Sequence, residues 1–413
     1  MVSRSKRKEF HILRKIAEGG FGAVYLTKLV HPDGFSRLVA LKLLHRKWSK
    51  NEEIASRMRD EARLLGWLRH RNIVDVMDLT RLDGRVAVVM EYLEAVDCGT
   101  IIKRHYAEGL KVPPRAVLEV GCFVAAALDA AFNQPPYTGE KPLRVIHRDI
   151  KPSNVMLDVH GTVKVLDFGV ARADFQQREA ATQEMAFGSF DYMSSERVCL
   201  EEAGPRSDVY SLGATCFELL MAERFGRVRI KKQEHNAFVQ ERLAAARDAL
   251  DLPEGLREQI IELLERMLAF EETDRPDSAE VAKTMRTLSR QLTDGALEDW
   301  AEEALPPIVE LFQNQTDDGA DPLVGRCLQE DPFDEEHEPQ TVQTDKSPAQ
   351  TTLWAHEVPT RSPGVPAQEQ VLAKEQTPQH SILLPVVVFG LSILIFFVGV
   401  LSLVAAVLWP GVS

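Results

Sequence analysis

The first ninety residues alternate apolar and polar positions in short runs, and longer helical periodicities follow. Ile12–Ala17, Ala23–Leu29, Leu38–Leu44, Val74–Leu79 and Arg85–Met90 are separated by turn residues such as Asp83-Gly84, which predicts a small antiparallel sheet. Between the third and fourth runs, Ile54, Met58, Glu61, Leu65 and Leu68 recur at steps of 4, 3, 4 and 3, the spacing of one helix face. Glu61 therefore lies in an inward stripe, where a lone carboxylate is costly to desolvate and needs a cation opposite it. Further on, Ala116–Phe132 and Val209–Ala222 are apolar but carry Glu119, Asp129 and Glu218, which predicts buried core helices rather than membrane spans.

Toward the end the pattern changes twice. Residues 315–380 are rich in Pro, Gln, Thr and acidic side chains with little apolar periodicity, which reads as a disordered tether. Ile382–Leu408 then runs 27 residues without a charge. A helix from Val386 to Leu408 would be ~35 Å long, enough to cross a ~30 Å hydrocarbon layer with some tilt. The expected organisation is a basic N-terminal tail (1–9), a globular region (10–292), an acidic, largely disordered linker (293–380), a transmembrane helix (382–408) and a short external tail (409–413). Within the linker, 296–313 has some helical character, interrupted at Pro306-Pro307. No signal-type apolar stretch follows the basic run Arg4, Lys6, Arg7, Lys8, so that run reads as a solvated end on the cytosolic side.

At 413 residues, 45% apolar and 27% charged, the composition is globular and excludes a wholly disordered, collagen-like or disulfide-stapled molecule. The net charge of −13 is unevenly spread: residues 293–380 hold 19 Asp/Glu against 4 Lys/Arg, while the first 292 residues are near +2. Acidity thus belongs to the linker, and the globular part gives no expectation of a nucleic-acid partner. Cys98, Cys122, Cys199, Cys216 and Cys327 lie far apart with no C-x-x-C pair, so neither a disulfide nor zinc is expected.

Candidate chemistry begins at the first turn, Glu18-Gly19-Gly20-Phe21-Gly22, where missing side chains would let backbone N–H groups approach phosphate oxygens. Alternation in Val39-Ala40-Leu41-Lys42-Leu43 puts Lys42 on the same sheet face as Ala40, and Glu61 is the carboxylate that would compensate it. Two further segments are His147-Arg148-Asp149-Ile150-Lys151-Pro152-Ser153-Asn154 and Val163-Lys164-Val165-Leu166-Asp167-Phe168-Gly169. With Val39–Lys42, they resemble in order and spacing the signature set of eukaryotic-type protein kinases. The likeness covers roughly residues 10–290. It includes Gly188–Glu196 as the end of an activation segment, Asp208–Gly213 as the start of the central helix, and Arg275 as the arginine that pairs with Glu196. With one membrane span, the architecture resembles the bacterial membrane-anchored Ser/Thr kinases.

The resemblance implies a two-lobed α+β fold, with a β-rich N-lobe (10–92) and a helical C-lobe (93–292), followed by the tether and the membrane helix. It implies ATP and Mg²⁺ as cofactors. Ala17, Gly19, Gly20, Phe21, Gly22, Val24 and Ala40 would surround the nucleotide, Lys42 held by Glu61 would neutralise α- and β-phosphate oxygens, and backbone groups of Glu91 and Leu93 would meet adenine. Asn154 and Asp167 would bind the metal. Asp149 would orient the attacking hydroxyl and accept its proton, and Lys151, typical of the Ser/Thr branch, would stabilise the phosphoryl group in flight. Implied partners are proteins bearing Ser or Thr, the membrane, and a second copy for trans-autophosphorylation. The implied location is a cell inner or plasma membrane, single-pass, with the kinase domain cytoplasmic.

Two positions depart from the pattern: Ala17 replaces the first glycine of the loop, and Ser195 replaces the proline of the segment ending at Glu196. After Ala222 a basic, helix-prone run through Arg227–Lys232 stands where a Gly/Pro link is usual. Arg148 next to Asp149 implies a phosphate switch on the activation segment, with Thr182 the candidate acceptor and Ser189 a contact to Asp149 or Lys151. The alternative function is a pseudokinase scaffold binding partners at the membrane. A small-molecule phosphotransferase is disfavoured by Lys151 and by Gly188–Glu196.

Overall fold

The computed structural model describes residues 7–109, 112–135, 139, 141–168, 190–293, 295–314 and 321–331. The alternating runs form strands β1 (Glu9–Glu18), β2 (Gly22–Val30), β3 (Ser36–Leu44), β4 (Val76–Leu82) and β5 (Arg85–Glu91), and helix α1 (Glu52–Trp67) lies between β3 and β4. A late strand, β9 (Cys327–Gln329), completes an antiparallel sheet of order β4-β5-β3-β2-β1-β9. The period of two sorts β3 onto two layers. Leu41 and Leu43 join Phe10, Ile12, Tyr25 and Val89 on one face, while Leu44 packs with Ile54, Ala55 and Met58 of α1 on the other. Asn51 caps α1 by accepting from the Ile54 amide at 3.2 Å, and Glu52 and Glu53 in the first turn suit the helix dipole.

The C-lobe is built on α2 (Cys98–Glu108), α3 (Pro114–Asn133), α4 (Ser195–Val198), α5 (Arg206–Met221), α6 (Lys232–Ala249), α7 (Glu254–Met267) and α8 (Ser278–Ser289). α5 is buried all round from Ser207 to Leu220, and α3 packs against α5 and α8. Gly121 of α3 makes room for the Met285 side chain of α8, since a Cβ there would stand 2.5 Å from the Met285 sulfur. α3 is long and apolar enough to cross a membrane by composition, yet it lies in this core, with Val117, Val124 and Ala131 essentially inaccessible. A small sheet of order β6 (Ala95–Asp97), β7 (Val155–Asp158), β8 (Val163–Val165) supports the loops that carry the candidate chemistry.

Several sequence expectations change here. The helical character expected within 296–313 is present as α9 (Leu297–Ala304) and α10 (Pro306–Asn314), broken at Leu305 just before the two prolines, so this part of the linker is ordered rather than disordered. Leu297, Ala301, Leu305, Ile308 and Val309 are buried in the C-lobe core, and the Leu297 amide donates to Glu119 at 2.7 Å. What the acidic composition masked is the burial of this stripe against the C-lobe. Residues 321–331 then form a strap along the outer edge of the N-lobe. β9 pairs with β1 through Glu9↔Gln329, Phe10↔Leu328 and His11↔Cys327, and Asp331 accepts from the amides of Asp83 and Gly84 at 3.0 and 2.8 Å. Asp321 accepts from the Tyr25 hydroxyl at 3.1 Å. Lys8 is not a solvated end residue, because it pairs with Asp78 and Glu330. The run Arg227–Lys232 is not helical before Lys232; Arg227 joins Arg224 on Asp191, and Arg229 covers the Phe238 ring. Thr182, Gly188, Ser189 and the segment 382–408 lie outside the described residues.

Candidate active site

The turn between β1 and β2 is closed by the Gly19 amide donating to the Gly22 carbonyl at 2.9 Å. Its carbonyls are held from below: the Trp48 indole donates to Gly20 and the His45 ring meets Gly19, both at 2.9 Å, while Phe21 packs its ring on Trp48. Ala17 stays in strand register opposite Val24, after an irregularity between Lys15 and Ala17. Gly22 is the position where no side chain fits, since a Cβ would sit 2.5 Å from the Leu43 carbonyl oxygen. Gly22→Ala is therefore expected to push β2 off β3 at about 1–3 kcal/mol, read as a lower Tm in thermal melts.

β2, β3 and β5 present Val24, Ala40, Lys42 and Met90 on one face, because Val24 opposes Lys42 and Ala40 opposes Met90. The Lys42 ammonium lies 2.7 Å from Asp167 and 3.8 Å from Glu61, so the inward carboxylate of α1 does meet the strand lysine. A cavity of about 60 Å³, lined by Phe21, Lys42, Met58 and Glu61 among others, adjoins the pair. At the end of β5 the Glu91 amide donates to Asp75, and its carboxylate accepts from the Asp75 amide and pairs with Lys164. Leu93 follows, half-buried. Sequence reasoning missed the Glu91–Lys164 pair, which carries no local signal.

The loop from His147 to Asn154 is fixed by groups far away in sequence. Asp208, at the start of α5, accepts from the amides of His147 and Arg148 at 2.7 and 2.8 Å. That grip holds Arg148 at φ 65°, a left-handed conformation that a non-glycine residue adopts only under constraint. Burial pushes the His147 ring below its ordinary pKa, against the pull of Asp208, and its bonds fit a neutral imidazole. Nδ1 accepts from the Asp149 amide at 3.2 Å, and Nε2 donates to the Leu166 carbonyl at 2.8 Å. His147 also stacks on Phe168, which is fully buried with Leu65 of α1 in the same cluster.

Asp149 is buried, with its carboxylate 2.9 Å from Lys151 and 2.9 Å from the Asn154 side-chain nitrogen. The Leu166 amide donates to the Asn154 carbonyl at 2.9 Å, which sets Asp167 beside Asn154, and Asp167 itself is held at φ 48°. The Asn154 nitrogen faces Asp149, so its oxygen is the atom offered on the other side. An amide oxygen and a carboxylate are the hard donors that Mg²⁺ prefers, and this donor set fits that ion. Beside Lys151 opens a cleft of about 680 Å³, lined among others by Asp97, Tyr106, Glu218, Glu223 and Arg224.

Further along, Arg275 grips Glu196 through two parallel bonds of 2.7 and 2.8 Å. The Ser195 hydroxyl, in place of the proline, donates to the Phe270 carbonyl and lies 3.1 Å from the Glu196 carboxylate, so this departure adds a partner to the same junction. Residues 10–285, two thirds of the chain, match the family described as protein kinase domain. The chain belongs to the protein kinase family. Among relatives of this kinase chain is the tyrosine-protein kinase MasK of Myxococcus xanthus, 36% identical over 280 residues, which are 65% of this chain and 41% of that protein. Another is the serine/threonine-protein kinase PrkC of Bacillus subtilis, 34% identical over 220 residues, 53% of this chain and 31% of that one. The chain thus spans well under half of either relative. Among solved structures, the PknI kinase domain of Mycobacterium tuberculosis is 24% identical with a TM-score of 0.48, covering 70% of this chain and 97% of that one.

Proposed function

We propose that this kinase transfers the γ-phosphoryl group of ATP to serine and threonine hydroxyls of proteins, itself included. The observation that carries this reading is that Lys42 meets Glu61 and Asp167, that Asp149 meets Lys151 and Asn154, and that the Leu166–Asn154 backbone bond ties the two groups together. In this reading Asp149 holds the acceptor hydroxyl and takes its proton, while Lys151 compensates charge developing on the transferred group. Lys42 positions phosphate oxygens, and the backbone at Glu91 and Leu93 meets adenine beneath Ala40. Asn154 and Asp167 would hold Mg²⁺, which would supply neutralisation of phosphate charge. The cleft of about 680 Å³ beside Lys151 is the place offered to the polypeptide acceptor. Residues 382–408 anchor the chain in a membrane with its kinase domain cytoplasmic, which raises the local concentration of membrane-bound substrates and of second copies.

The name of the M. xanthus relative supports a second reading, transfer to tyrosine. Incubation with Mg²⁺ and labelled ATP, followed by phosphoamino-acid analysis of the chain and of added protein acceptors, separates the outcomes. Phosphoserine or phosphothreonine is the expected product. Phosphotyrosine alone would move the chain to the second reading, and no label on any polypeptide would leave a pseudokinase scaffold.

A further inference from the structure

The strap is joined to β1 by more than backbone pairing. Glu9 and His11 stand two residues apart on β1 and so share a sheet face, and Cys327 of β9 is the direct cross-strand partner of His11. The His11 Nε2 lies 3.7 Å from the Cys327 sulfur and 3.4 Å from a Glu9 carboxylate oxygen, and the three ligand atoms all fall within 4.8 Å of one another. A tetrahedral zinc ion, with bonds of about 2.3 Å to sulfur and about 2.0 Å to nitrogen or oxygen, sets its ligand atoms roughly 3.3–3.6 Å apart. The two separations from the His11 nitrogen are already close to that.

Thiol and carboxylate both approach the same ring nitrogen. A nucleophile relay would place them on opposite nitrogens, so the geometry favours a shared ion over an activated cysteine. Sulfur with imidazole is a soft and borderline donor set that suits zinc and not Mg²⁺. The carboxylate and a thiolate would balance the dication; Lys28 stands opposite His11 on β2. Cys327 is exposed, which leaves an entry path and room for a water as fourth ligand.

We propose that Glu9, His11 and Cys327 form a zinc site that staples the strap to the first strand of the N-lobe. On binding, the Cys327 thiol gives its proton to solvent and the thiolate takes the metal. The full chain, stripped of metal and kept in Mg²⁺ to saturate its oxygen sites, is titrated with Zn²⁺ against a chromogenic chelator. In parallel, iodoacetamide alkylation of Cys327 is followed by peptide mass spectrometry, with the exposed Cys199 as internal reference.

The expected result is one tight equivalent of Zn²⁺, lost in Cys327→Ser and in His11→Ala. Alkylation of Cys327 should slow about tenfold while that of Cys199 is unchanged. Unaltered alkylation of Cys327 in the unmutated chain, or zinc uptake indifferent to both substitutions, overturns the site. Neither readout needs phosphoryl transfer, so failure here is distinct from failure of the proposed activity.

Discussion

Asp149→Asn is expected to lower phosphoryl transfer by about 10²- to 10⁴-fold while changing the KM for ATP only a few-fold. The substitution is nearly isosteric. The amide oxygen that replaces the carboxylate still accepts from the Asn154 nitrogen, which stands 2.9 Å away, so the loop keeps its shape. What disappears is the group able to take a proton and the negative charge facing Lys151 at 2.9 Å. An unchanged Tm with a collapsed kcat is the expected pair of measurements. A variant that retains most of its rate would remove Asp149 from the role of base and with it the proposed chemistry.

Arg275→Ala is expected to cost about 3–5 kcal/mol, because it strands the Glu196 carboxylate in a buried site. The Arg275 side chain is 0% exposed, and besides Glu196 it bonds the carbonyls of Ala269 and Phe270 and lies over the Tyr210 ring. Urea denaturation of the variant should show the loss directly. The double variant Arg275→Met with Glu196→Gln should recover a large part of it, since neither half is then an unpaired charge.

The same pair sets an acid limit. Burial pushes the Glu196 carboxyl up, but Arg275 and the Ser207 hydroxyl more than reverse this and hold it at about 2, below its ordinary 4.5. A depressed carboxylate contributes stability that is complete above about pH 4.5 and is lost as the pH falls toward 2. Over that window the unmutated chain should lose stability more steeply than the Glu196→Gln variant.

Much of this was legible in the sequence because it is local. Alternation in Val39–Leu43 placed Lys42 on the face of Ala40, and the four-three spacing of α1 turned Glu61 inward to meet it. What escaped depends on contacts between distant segments. Nothing around Asp208 announces that it grips the amides of His147 and Arg148, since backbone amides leave no mark on a sequence. The Glu91–Lys164 pair joins residues 73 apart. In 296–313 the helices and their break at Pro306-Pro307 were legible, but abundant acidic side chains hid that the stripe Leu297, Ala301, Leu305, Ile308 packs into the C-lobe core. β9 is three residues long, too short for any period to register, and exists through its pairing with β1.

Because residues 321–331 finish along β1 and the β4–β5 turn, whatever lies beyond Asp331 is leashed to the small lobe. A load arriving through the C-terminal side would first break the bonds of Asp331 to Asp83 and Gly84, then peel β9 from β1, one cross-strand pair after another. The roof over the nucleotide cleft, and not its floor, is the part of the molecule that would feel the pull.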